Sequence, residues 1–122
     1  MEKEFVPYEL ALKLKELGFN EECAAYYSPM DNKLSNIGIV PISSRVLKAP
    51  LWQQAFDWFR NQYGIDSTIL PTSSTKYLYR LYKQQSKSKT QIYGEYMSKE
   101  YKTYEKARQA CLEKLIEIYE KN

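Results

Sequence analysis

The sequence predicts an α+β fold in one domain, with three helices packed on an antiparallel sheet of four or five strands. Three observations lead there. Apolar residues recur at helical spacing in three stretches, each bounded by Pro, Thr or Gly. Between those stretches the pattern changes to short runs of β-branched and aromatic residues with period two. The connections between the runs are short, which favours antiparallel neighbours with helices on one face. A length of 122 residues suits a single domain whose core needs no disulfide or metal.

The first helix is expected from Pro7 to Leu17. Pro7 fits the opening turn, where its missing N–H costs nothing, and Leu10, Leu14 and Leu17 form one apolar stripe. Gly18 suits the left-handed position just past the end. Strands are expected over 24–27 and 37–42, separated by the turn-rich Ser28-Pro29-Met30-Asp31-Asn32. The second helix runs from Leu51 to Tyr63 between Pro50 and Gly64, with Trp52, Phe56, Phe59 and Tyr63 on one face. Leu51 and Trp58 widen its apolar arc beyond roughly 150°, more than one sheet contact requires. Either this helix is nearly central, or Trp58 reaches outward as an anchor for another chain.

Three further strands are expected over 65–70, 76–83 and 90–97. Pro71 ends the first, and a polar loop over 84–89, expected to be mobile, joins the other two. The last helix spans Tyr104 to Glu120, with Thr103 as N-cap and Glu105 where the helix dipole favours an acid. Ala107, Cys111, Leu115 and Ile118 form its inward stripe. The element order is then α-β-β-α-β-β-β-α.

The exclusions are sharper than the fold. The chain has no histidine, which removes the usual general base, the usual metal ligand and every Ser-His or Cys-His pair. Cys23 and Cys111 lie far apart in sequence among apolar neighbours and read as reduced, buried hydrophobes. The glycines are isolated, so no phosphate-cradling loop can be written. Ser73-Ser74-Thr75-Lys76 and Ser86-Lys87-Ser88-Lys89 carry a Ser-x-x-Lys spacing, but in polar loop rather than at a helix start. No catalytic residue, metal or cofactor is expected, and an enzyme is the least supported class. No apolar run approaches the length of a membrane span, and Met1-Glu2-Lys3-Glu4-Phe5 has no apolar signal-peptide core. A cytoplasmic address without membrane contact is the expectation.

Three segments carry a resemblance. Glu4 to Phe19, Ala49 to Arg60 and Tyr104 to Ile118 are similar to small uncharacterised proteins encoded in bacterial phage and prophage-like genomes. The likeness covers about a third of the chain, and its most specific string is Pro-Leu-Trp-Gln-Gln-Ala-Phe-Asp-Trp-Phe-Arg at 50–60. It implies a genomic neighbourhood rather than a mechanism. It also makes helix punctuation and core the reason for the shared residues.

Two surfaces remain. Seven of the 12 tyrosines fall between Tyr77 and Tyr104. Residues 76–108 hold nine of the 18 Lys and Arg but only three of the 15 Asp and Glu. Tyrosines among lysines are what single-stranded nucleic-acid binders use, with rings under bases and cations along phosphates. Lys76, Tyr79, Arg80, Tyr82, Lys83, Lys87, Lys89 and Lys99 are the candidate contacts. Against this, Tyr77, Tyr79 and Leu81 alternate with Leu78, Arg80 and Tyr82, so one set must face the core. The lysines can equally serve as a solvated face. The resulting expectation is a non-enzymatic accessory protein of phage or mobile-element type, acting on an unidentified protein partner with Trp58 as the candidate contact. A weak single-stranded nucleic-acid binder using residues 76–106 is the alternative. The sequence leaves the oligomeric state open.

Overall fold

A computed structural model of the chain describes residues 2–28, 32–36, 47–83 and 95–120. The strand expected over 37–42, the loop over 84–89 and residues 90–94 of the last expected strand lie outside the described residues. The chain divides into two compact units, Met1–Ala55 and Phe56–Asn122. The division falls within one helix.

In the first unit a 3-10 turn at Glu2–Glu4 leads to helix α1, Tyr8–Leu17. Leu10, Ala11 and Leu14 are its buried stripe. Gly18 stops it at φ 111°. The Gly18 and Phe19 N–H groups return to the carbonyls of Lys15 and Leu14 at 3.0 and 2.9 Å, and Phe19 is buried beside them. That pattern satisfies carbonyls the helix end would otherwise leave open.

Strands β1 (Ala25–Tyr27), β2 (Leu34–Asn36) and β3 (Leu47–Ala49) follow, in the sheet order β2-β1-β3, both pairs antiparallel. Ala25, Tyr27, Leu47 and Ala49 are buried. The Tyr27 hydroxyl donates to the Val6 carbonyl at 2.6 Å, and the Trp52 indole N–H donates to the Lys3 carbonyl at 2.8 Å.

Two of these strands stand where the sequence predicts none. Leu-Ser-Asn and Leu-Lys-Ala are too short to display a period, so pairing with Ala25-Tyr26-Tyr27 makes them strands rather than any local preference. Three strands, not two, therefore separate the first two helices among the described residues. The described strands form two sheets of three instead of one sheet of four or five.

Helix α2, Trp52–Tyr63, contributes Trp52 and Ala55 to the first unit and Phe56 onward to the second. Gly64 ends it at φ 74°, its N–H bonded to the Arg60 carbonyl at 2.9 Å. Strands β4 (Ile65–Pro71), β5 (Tyr77–Lys83) and β6 (Glu95–Met97) then form an antiparallel sheet with β5 central. Beyond β6 the chain continues along β5, with Tyr77 and Tyr101 exchanging backbone bonds of 2.8 and 2.6 Å.

Helix α3, Tyr104–Glu120, has the expected cap: the Lys106 N–H donates to the Thr103 hydroxyl oxygen at 3.1 Å. It packs on β4 and β5. Its buried residues are Ala107, Cys111, Leu112, Leu115 and Ile116. That face is broader than the predicted stripe, and Ile118 is only half-buried. No helix among the described residues is long and apolar enough to cross a membrane.

Candidate functional site

The alternation of β5 decides which tyrosines can meet another molecule. Tyr79 and Leu81 are 4% and 3% exposed, whereas Tyr82 is 47% exposed. Tyr79 is therefore core, which removes it from the candidate nucleic-acid contacts. Its ring lies 6.0 Å from that of Tyr96 and 6.2 Å from that of Tyr101, and Tyr77 meets Tyr104 edge-on at 5.9 Å. Burial, reinforced by the neighbouring phenols, holds the Tyr79 and Tyr101 hydroxyls above the ordinary tyrosine pKa.

Cations cover this cluster. Lys99 lies 5.4 Å from the Tyr101 ring centre, Arg108 5.6 Å from Tyr104, and Lys114 5.2 Å from Tyr96. Lys83 lies 5.7 Å from Tyr119. Each such contact contributes about 0.5–1 kcal/mol at a solvated site. Much of the Lys/Tyr composition is thus taken up between the sheet, the strand-like segment after it, and α3.

The other face of the sheet carries a different set. Cross-strand register aligns Asp66, Tyr82 and Glu95 in one row, Thr68, Arg80 and Met97 in the next, and Leu70 with Leu78 beyond. The Arg80 guanidinium meets the Glu95 carboxylate at 3.1 Å, both side chains being more than two-fifths exposed. Arg60 reaches Asp66 at 3.9 Å and Asp57 at 3.0 Å. Met97 (51%) and Tyr82 (47%) are the two most exposed large apolar side chains among the described residues.

The structure does not gather the six candidate contacts that lie among the described residues. Arg80 and Tyr82 share the open face, but Tyr82 has a carboxylate beside it on each neighbouring strand. Lys83 points the other way, over Tyr119. Lys76 and Lys99 are exposed near the opposite end of β5, and Lys87 and Lys89 lie outside the described residues. Sequence reasoning missed Asp66, Glu95 and Met97. Parity along β5 could point to Tyr82, but only the register brings these three beside it.

Trp58 is not an outward anchor. It is 6% exposed, with its ring edge-on to Phe59 at 5.0 Å and to Tyr63 at 5.8 Å. The Ser73–Lys76 string forms the β4–β5 turn, where the Thr72 hydroxyl oxygen accepts from the Ser74 and Lys76 N–H groups at 3.4 and 3.3 Å. Ser73 and Lys76 are exposed there. Cys23 and Cys111 are buried free thiols, and desolvation pushes them up to about 11 and about 12.

Among the described residues no three His, Cys, Asp or Glu lie together as metal ligands would. In the first unit a cavity of about 280 Å³ is lined by Phe5, Pro7, Tyr8, Tyr27, Asn32, Lys33 and Leu34. Its lining is aromatic and aliphatic, with a lysine and an asparagine as its polar side chains besides the tyrosine hydroxyls. Among the described residues that line it there is neither a carboxylate nor a thiol. No family model, curated protein or solved structure matches the chain.

Proposed function

We propose that the chain is a non-enzymatic accessory protein that works by protein contact through the open face of the β4–β5–β6 sheet. The observation that carries this reading is the exposure of Tyr82 and Met97 beside the Arg80–Glu95 pair. Tyr, Met and Arg are the side chains enriched at the centres of protein interfaces. Leu70, Leu78 and Thr68 extend the same face. The accessory role of phage or mobile-element type rests on the resemblance of the three helical segments.

Single-stranded nucleic acid is the competing occupant. Its phosphates would meet a face whose cations, Arg80 and Arg60, are already paired with Glu95 and Asp66, which leaves no net attraction. Most of the late tyrosines described also have their rings against each other or against lysine and arginine.

A photo-crosslinking side chain at position 97, with one at exposed Lys106 as control, tests the reading in cells expressing the protein. Discrete protein adducts at 97 and none at 106 are expected. Adducts removed by nuclease, or equal yields at both positions, would overturn it.

A further inference from the structure

Four residues on the open face form a two-by-two square. Arg80 is opposite Met97, and Tyr82 is opposite Glu95. One diagonal of the square is therefore Arg80 and Glu95, ion-paired at 3.1 Å, and the other is Tyr82 and Met97. Neighbouring strands stand about 4.8 Å apart and same-face residues about 6.8 Å apart, so the two diagonals are of equal length and cross near the centre.

We infer that this face binds a second copy of the same chain, with a two-fold axis along the Tyr82–Met97 diagonal. The inference rests on the protein-contact reading and names its partner. A rotation about that diagonal carries each end of the other to within about 3 Å of the opposite end, inside the reach of the Arg and Glu side chains. Arg80 then faces the partner copy's Glu95 position, and Glu95 faces its Arg80 position. The two residues on the axis meet their own copies, ring to ring and thioether to thioether. Charges alternate around the network of two Arg80 and two Glu95 side chains. Two-fold contacts demand this self-complementarity.

Charge complementarity thus selects the occupant. The face carries both signs in pairs, Arg80 with Glu95 and Arg60 with Asp66, so a polyanion or a polycation meets as much repulsion as attraction. A copy of the same square satisfies both signs. Three short strands present only several hundred Å² per partner, below the roughly 800 Å² of a standard interface. The association is therefore weak, with a dissociation constant between about 10 μM and 1 mM.

The test is sedimentation over that concentration range for the full chain and for Arg80→Glu, Glu95→Arg and Met97→Glu. The unaltered chain should pass from monomer to dimer. Arg80→Glu and Glu95→Arg each place like charges across the axis and should remain monomeric. Mixed in equal amounts, they present complementary squares and should form a heterodimer. That recovery also shows both variants to be folded. Met97→Glu leaves the ion pair in place and should abolish dimerisation on its own. An unaltered chain that stays monomeric throughout overturns the inference, as do single variants that dimerise normally or a mixture that does not recover. Cross-links from position 97 to a different protein, in a chain that stays monomeric, would sink the dimer and leave the protein-contact reading standing.

Discussion

Tyr63 and Tyr119 lie ring against ring, with centroids 3.8 Å apart and planes 14° from parallel. Phe59 joins them at 5.9 Å from each, and Lys83 stands over Tyr119. The last turn of α2 is thereby fastened to the last turn of α3 and to the end of β5.

If the stack stabilises the second unit, Tyr119→Ala should cost about 1–3 kcal/mol, from lost packing and lost ring contact together. Tyr63→Ala and Tyr119→Ala combined should cost less than their sum, because both remove the same contact. Urea melts of the two single variants and the double variant measure this.

Opposite faces of β5 should respond oppositely to truncation. Tyr79→Ala opens a cavity in the core and should cost about 3–5 kcal/mol, as for other large buried rings. Tyr82→Ala lies on the open face and should stay within about 0.5 kcal/mol. Equal losses from the two variants would contradict the face assignment.

The end of α1 depends on backbone conformation rather than space. A methyl group at Gly18 would meet nothing within 4 Å, yet φ is 111°. Gly18→Ala should therefore cost about 1–2 kcal/mol through left-handed strain alone. Gly18→Asn should cost less. Thermal melts of the two variants decide.

The thiols make the fold sensitive to alkali. Burial raises Cys111 from an ordinary 9.0 to about 12, slightly opposed by a hydrogen bond with Ser67, and raises Cys23 to about 11. A folded-state value above the unfolded one means the unfolded chain loses its proton first as pH rises. Stability is then complete below pH 9 and falls between about 9 and 12. Cys111 alone accounts for a loss on the order of 2 kcal/mol near pH 10.5. Denaturant melts at pH 8 and pH 10.5 should differ by more in the unaltered chain than in Cys111→Ala. Native-state labelling of either thiol at neutral pH should be slow.

The helices were legible because each is marked locally. Gly18, Gly64 and Thr103 act within a few residues of themselves, and apolar spacing needs no knowledge of the rest of the chain. The strands over 65–71 and 77–83 were legible for the same reason, being long enough to alternate. Leu34–Asn36 and Leu47–Ala49 were not, since what makes them strands is Ala25–Tyr27 between them.

The surface was harder to read than the fold. Lys and Tyr clustering in sequence does not say whether a lysine covers a tyrosine of its own chain, as Lys99 covers Tyr101. Nor does it reveal that Tyr82 is flanked by Asp66 and Glu95, residues 16 positions before and 13 after it. Composition suggested a basic platform. Register makes it a mixed-charge face.

The methyl resonance of Met97, assigned by Met97→Leu in protein labelled at methionine methyls, reports on that face directly. It should shift as the protein is concentrated from about 10 μM to about 1 mM and stay unmoved by a single-stranded oligonucleotide. A resonance that follows the oligonucleotide and ignores protein concentration would contradict it.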